Sequence, residues 1–264
     1  MLPFDRLSYW EKTTKLEGID ALIVGTGIVG MTTAIYLKKQ KPNQKIVLVE
    51  RGYLPSGAST KNAGFACFGS PTEILDDLTK MEERKVWDTV AMRYEGLKRL
   101  FELVNPAIIG YESCGSWDLL REGQEEIEDD RLAYLNQEIA RISGEEAVYL
   151  EDHKALHEMG FKGFCTAYKN RSEGALNTGD LMEQLHALCI SLGIHFLFCT
   201  EVLSYEHYGN HFLVETNHGC LHTNQLALCT NGFAATLVDL PVQPARAQVL
   251  VTNEIDGLKI KGTF

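Results

Sequence analysis

The sequence predicts an α/β fold, and three observations predict it. The apolar run Ala21-Leu22-Ile23-Val24 leads through Gly25-Thr26-Gly27-Ile28-Val29-Gly30 into a periodic stretch from Met31 to Lys39. A second apolar run, Lys45-Ile46-Val47-Leu48-Val49, follows and ends in Glu50, twenty residues beyond Gly30. The remaining chain alternates helical periodicity with short strand-like runs. Strand, glycine turn, helix and strand in this order make a Rossmann-like unit.

Each glycine of the turn has its own physical task. Gly25 permits the tight turn, Gly27 lets the backbone approach a pyrophosphate, and Gly30 allows close packing of helix on strand. The phosphates would sit on the open N–H groups of the helix start, at Ile28, Val29 and Gly30, where the helix dipole favours negative charge. A carboxylate at Glu50 accepts hydrogen bonds from a ribose 2′-OH and repels a 2′-phosphate. The predicted ligand is adenosine diphosphate as part of FAD or NAD.

The bulk numbers narrow the classes. A chain of 264 residues with 45% hydrophobic residues suits a soluble globular protein of one or two domains. Its 25 basic and 36 acidic residues give a net charge of −11, which disfavours nucleic acid or an anionic membrane as a partner. The first eighteen residues lack the apolar core of a signal peptide, and no run is long enough to span a bilayer. The seven cysteines, Cys67, Cys114, Cys165, Cys189, Cys199, Cys220 and Cys229, form no Cys-x-x-Cys pair and are odd in number. Reduced thiols and a cytoplasmic location are expected.

Residues 1–18 are expected to be a lead-in, with Leu7, Trp10 and Leu16 packed on the first domain. After Glu50 comes a long stretch, Arg51 to Ser70, rich in Gly, Ala and Ser, as backbone lying against a flat ring or a phosphate requires. Thr72 to Asn105 reads as helical, with Ile74, Leu75, Leu78 and Met81 on one face, and Pro106 ends it. Strand-like runs are expected within Ile108 to Leu120, a helix over Glu122 to Ile142, a short helix over Asp152 to Met159, and a strand over Phe161 to Tyr168. Thr178 to Leu192 reads as a helix stopped by Gly193. Ile194 to Phe198 reads as a buried strand, and Val202–Tyr208, His211–Thr216 and Gly219–Thr223 as an antiparallel meander. Leu226 to Cys229 is a separate apolar run that leads into Thr230-Asn231-Gly232.

Asp20-x4-Gly25-x-Gly27-x2-Gly30, the terminal Glu50-Arg51 and Gly57-Ala58-Ser59-x-x-Asn62-Ala63-Gly64-Phe65 together resemble the FAD-dependent D-amino acid oxidase and glycine/sarcosine oxidase superfamily. The Ser-x-x-Asn-x-Gly loop is most similar to the branch of amino acid dehydrogenases and putrescine-type amine oxidases. The resemblance implies a Rossmann-like FAD-binding domain of the glutathione-reductase type, over 1–70 and 174–240, and a discontinuous α+β substrate domain, over 71–173 and 241–264. It implies that Glu50 binds the adenosine ribose, that Arg51 lies by the adenine, and that Val202 meets the adenine through its backbone. Ser59, Asn62, Ala63, Gly64 and Phe65 would touch the diphosphate, the ribityl chain and the edge of the isoalloxazine, and Thr230, Asn231 and Gly232 would close over the dinucleotide. Lys61 departs from the Arg common before this Asn, which keeps the charge but loses the planar fork.

The activity so implied is oxidation of the C–N bond of a small-molecule amine or amino acid: hydride leaves the carbon alpha to nitrogen for the flavin, and the imine hydrolyses in water. Two other readings stand beside it, an NAD-dependent dehydrogenase and an inactive nucleotide-binding fragment. The first leaves the Ser59 to Gly64 loop unexplained. Pro241 to Val251 resembles the Pro-x-Arg-Gly-Gln strand with which the family returns to its substrate domain, Ala247 replacing the usual Gly. Family members continue well beyond the position of Phe264, so an incomplete C-terminal part is expected. Tyr111, Trp117 and Arg246 are candidates only for lining the substrate side, and no catalytic residue is assigned.

Two clusters invite a metal and neither is assigned one. Glu122, Glu125, Glu126, Glu128, Asp129 and Asp130 lack the order of a calcium loop and suit an acidic helix start. His207, His211, His218 and His222 have His-x3-His spacings, but four residues along a strand span about 13 Å, too far for a shared ion.

Overall fold

The computed structural model describes residues 3–245, 248–253 and 255–264. The lead-in holds α1 (Tyr9–Glu11); then follow β1 (Ile19–Val24), α2 (Ile28–Gln40), β2 (Ile46–Val49), β3 (Phe65–Ala66), α3 (Pro71–Lys80) and α4 (Glu83–Leu103). Next come β4 (Ser116–Arg121), α5 (Asp129–Ser143), β5 (Tyr149–Glu151), α6 (His153–Met159), β6 (Phe164–Asn170) and β7 (Gly174–Ala175). The last are α7 (Thr178–Ser191), β8 (His195–Leu197), β9 (Val202–Tyr208), β10 (His211–Thr216) and β11 (Gly219–Leu228). The chain forms two compact units, Met1–Asn62 with Thr178–Val249 and Ala63–Asn177 with Leu250–Phe264.

The first unit is built on a six-stranded sheet in the order β8-β2-β1-β11-β10-β9. Its β8, β2, β1 and β11 run parallel, while β10 and β9 are antiparallel. The strands β1 and β2 read as continuous apolar runs because a parallel sheet is covered on both faces, and all four residues of β2 are buried. Leu22, Val24, Val47, Val49, Val214 and Leu221 form one core with Phe4, and Leu7 and Leu16 pack on it. Trp10 does not: it is 75% exposed. The turn around it is closed locally by Ser8 and Glu11, which cap each other, so the indole is left on the outer side.

β11 corrects the expectation of two separate runs. Its first half, Gly219 to Thr223, pairs antiparallel with β10, and its second half, Thr223 to Leu228, pairs parallel with β1. One ten-residue strand thus joins the parallel half of the sheet to the meander. The helix α7 ends at Ser191, and Gly193 just beyond it takes φ +74°, which suits the left-handed turn that stops a helix.

The second unit holds the antiparallel sheet β4-β6-β5, the pair β3-β7 and the helices α3 to α6. Phe68, Ile74, Val86, Val90, Leu135, Ile139, Val148 and Tyr149 form its core. The helical stretch expected from Thr72 breaks at Met81, where the backbone turns extended and leaves the side chain exposed. The run expected from Ile108 narrows to β4, because Gly110 and Gly115 take positive φ before it. The strand expected from Phe161 starts at Phe164, after Gly160 and Gly163, both at φ +80°. The helix expected from Glu122 starts at Asp129, with Asp129 and Asp130 in its first turn.

The segments 63–70 and 174–177, expected with the dinucleotide domain, lie in the second unit because β3 pairs with β7 there. Residues 241–249 stay with the first unit. Among the described residues of Pro241 to Val251 no strand forms, and Arg246 and Ala247 lie outside the described residues.

Candidate dinucleotide site

The glycine turn follows β1 directly. Gly25 donates its N–H to the Val49 carbonyl at 2.9 Å and has φ +101°. A Cβ there would lie 2.6 Å from the Cys229 carbonyl oxygen, so the turn and the end of β11 touch through backbone. A Cβ on Gly30 would fall 1.9 Å from the Gly25 carbonyl oxygen, which is the close helix-to-strand approach expected of the third glycine. Gly27 caps α2 without a side chain, and a Cβ on it would meet Ser59 Oγ at 2.8 Å. That hydroxyl instead accepts the Ile28 N–H at 3.0 Å, bringing the loop onto the helix start. Val29, in the first turn of α2, is 64% exposed.

Glu50 ends β2 with its carboxylate held by the turn. Its Oε2 accepts from Thr26 Oγ1 at 2.8 Å and from the Thr26 N–H at 3.3 Å, and its Oε1 accepts from the Gly52 N–H at 3.1 Å. These bonds fix where the carboxylate points, and the side chain stays half-buried. Backbone bonds place the next segment beside it: Glu50 N–H donates to Leu197 O at 2.9 Å and Thr200 N–H to Glu50 O at 2.8 Å. Val202 opens β9 from there and is buried.

On the other side of the turn, Cys229 N–H donates to Val24 O at 2.8 Å, which sets Thr230, Asn231 and Gly232 next to the glycines. Asn231 takes φ +50°. Thr230 Oγ1 is buried and without a hydrogen-bond partner among the described residues. The Arg51 guanidinium lies 4.4 Å from the centre of the Phe233 ring, a cation–π contact that ties the ends of these two segments together.

In the first unit, therefore, Gly25, Gly27, Ile28, Val29, Gly30, Glu50, Ser59 and Thr230 meet at one turn, Asn231 and Gly232 follow Thr230, Arg51 lies on Phe233, and Val202 packs in the sheet's core with Val24 and Val49. Asn62 bonds the carbonyls of Ala58 and Ser59 from the same loop. Ala63, Gly64 and Phe65 belong to the second unit, where Gly64 has φ +75° and its carbonyl accepts the Leu176 N–H. Phe65 is 45% exposed. A cradle lined by glycine backbone, an oriented carboxylate and an unpartnered hydroxyl fits a dinucleotide. Sequence reasoning missed Thr26 and Phe233; the first is the variable residue of the Gly-x-Gly step, the second an aromatic just beyond Asn231-Gly232.

The sequence pattern of the DAO family, FAD dependent oxidoreductase, matches residues 20–263. The chain belongs to this family. Its relatives include the bifunctional protein ThiO/ThiG of Trichormus variabilis, 25% identical over 92% of this chain and 36% of the relative. The sarcosine oxidase subunit beta of an Arthrobacter species is 21% identical over 96% of this chain and 62% of the relative. Glycine oxidase from Geobacillus kaustophilus shares the fold, with a TM-score of 0.58 at 22% identity over 82% of this chain and 56% of that one. The chain thus spans from about a third to under two thirds of the length of these DAO-type proteins.

Other candidates have structural partners. Trp117 Nε1 donates to the Lys261 carbonyl at 2.8 Å with Lys169 over its ring, and the Tyr111 ring packs on Phe101. His207 stacks on Phe212, and His218 Nε2 donates to Cys199 O at 2.8 Å. Among the described residues no group of three or more His, Cys, Asp or Glu could hold a metal ion, and no helix is long and apolar enough to cross a membrane.

Proposed function

We propose that this chain binds FAD and takes part in the oxidation of a C–N bond in an amine or amino acid. The observation that carries the proposal is the oriented Glu50 carboxylate beside a glycine turn and a buried Thr230 hydroxyl with no partner among the described residues, all within one unit. Gly25, Gly27 and the N–H groups of Ile28, Val29 and Gly30 are assigned to the diphosphate, with Ser59 and Asn62 beside them. Glu50 takes the ribose hydroxyls, Arg51 and the Val202 backbone the adenine side, and Thr230, Asn231 and Gly232 close over the dinucleotide. Ala63, Gly64 and Phe65 are assigned to the ribityl chain and the ring edge. The first unit is then the FAD-binding domain and the second the substrate domain.

When bound, FAD supplies the acceptor for the hydride that leaves the carbon alpha to nitrogen. The chain's own groups orient and hold; none is assigned a proton transfer. The substrate class is supported by the names of the relatives, a sarcosine oxidase subunit and a glycine oxidase.

Titrating the purified chain with FAD, followed by flavin fluorescence and absorption, tests the reading. Uptake with an altered flavin spectrum is expected, and Glu50→Ala should weaken it by about tenfold, the worth of charge-assisted hydrogen bonds to the ribose. Tighter binding of NAD than of FAD, or no uptake of FAD, would overturn it. Anaerobic bleaching of the bound flavin by glycine, sarcosine and longer amines then sorts the substrates.

A further inference from the structure

Glu173 lies in the second unit, one residue before β7, and is 2% exposed. Among the described residues it has no cationic partner. Its Oε1 accepts the N–H of Phe68 at 2.7 Å and of Gly69 at 3.0 Å, and its Oε2 accepts from Ser116 Oγ at 2.5 Å. Its own carbonyl accepts the Gly115 N–H at 2.9 Å. Three stretches far apart in sequence, 68–69, 115–116 and 173, are thus gathered on one residue.

The same stretch is held on its other side. Tyr149 Oη donates to the Gly69 carbonyl at 2.9 Å, and Phe68 is buried in the core of the unit. Two residues upstream, Ala66 pairs with Gly174 and Phe65 with Ala175. The clamp therefore begins where the loop that carries Ala63, Gly64 and Phe65 ends.

A plain packing role would be served as well by an apolar side chain of the same shape, which could not accept these three hydrogen bonds. Burial instead pushes the Glu173 carboxyl up, the Glu73 charge adds to this, and the hydrogen bonds from Ser116, Gly69 and Phe68 oppose it. A buried acid with no cation beside it among the described residues costs stability, which is a mark of a group kept for a task.

We infer that Glu173 is a positioning residue, whose carboxylate fixes the backbone from Phe65 to Gly69 and so holds the Ala63–Phe65 end of the loop for FAD. The inference rests on the FAD reading above.

Amide hydrogen exchange and FAD titration on Glu173→Ala and Glu173→Gln test it, with β1 as the internal control. In Glu173→Ala, exchange at Phe68 and Gly69 should quicken by about ten- to a hundredfold, β1 should stay as in wild type, and FAD should bind more weakly. Glu173→Gln should restore both, its oxygen accepting the two N–H groups and its nitrogen donating to Ser116 Oγ. Unchanged exchange in Glu173→Ala, faster exchange with unaltered FAD affinity, or a Gln variant that behaves like Ala each overturns the inference. If Glu173→Ala does not fold, Glu173→Asp decides: its carboxylate is withdrawn by one methylene, so faster exchange at Phe68 and Gly69 is expected and wild-type exchange overturns the role. A wild-type chain that takes up no FAD sinks the FAD reading and the flavin role with it. Normal FAD uptake with unaltered exchange in the variant sinks the positioning alone.

Discussion

Thr230 shows how much one hydroxyl can decide. Its Oγ1 is buried with no hydrogen-bond partner among the described residues, while in the unfolded chain it bonds water. Replacing it by the near-isosteric valine removes that cost, so Thr230→Val should stabilise the free protein by about 1 kcal/mol in a urea titration. The same change should weaken FAD binding, because the ligand then meets a methyl group. A variant less stable than wild type would show that the hydroxyl is satisfied by another route. Glu50 makes the complementary case. Its position was legible from spacing alone, but its orientation depends on Thr26, whose hydroxyl and N–H both reach the carboxylate. Spacing says where a side chain starts; only packing says where it points.

At the scale of elements, the joint between β1 and α2 is the part of the site most tightly set by covalent geometry. Helix propensity alone would favour alanine over Gly30 by about 1 kcal/mol. Yet its Cβ would fall 1.9 Å from the Gly25 carbonyl oxygen, and neither backbone can yield without moving the turn. Overpacking of this kind costs about 1–3 kcal/mol or more, so Gly30→Ala should lose roughly 2 kcal/mol of stability, read as a lower denaturant midpoint. An unchanged midpoint would mean that the helix shifts freely on the strand. Elements elsewhere were legible in kind and less so in extent. The breaks at Met81 and before Phe164 depend on single residues leaving helical or extended conformation, which periodicity averages over. The sequence of β11 reads as two runs because it changes character where its neighbour changes from β10 to β1.

For the whole molecule, the two units make separate stability measurements possible. Trp87 and Trp117 lie in the second unit, and Trp10 of the first is exposed, so tryptophan fluorescence follows the second unit. Burial raises the Glu173 carboxyl there. A group raised in the folded state contributes stability that is fully present below the ordinary carboxyl value of 4.5 and is lost as pH rises through the raised value. Wild type should therefore lose stability relative to Glu173→Gln between acid and neutral pH. A difference that does not change with pH would show that the carboxyl titrates as in the unfolded chain. At this scale the first Rossmann-like unit could be read ahead of the structure, since strand, turn and helix are contiguous. The division of the chain could be read less well, because the small pair β3-β7 draws 63–70 and 174–177 into the second unit.

The sequence by itself determined the α/β class, the glycine turn, the acid at the end of β2 and the family to which these belong. Each is a local pattern, set by side-chain periodicity or by backbone that tolerates no Cβ. The tertiary structure alone decided which distant segments meet that turn, that Thr230 presents there a hydroxyl without a partner among the described residues, and that Glu173 is a buried acid. Those facts depend on contacts between residues far apart in the chain, and burial and hydrogen bonding across such distances leave no trace in spacing.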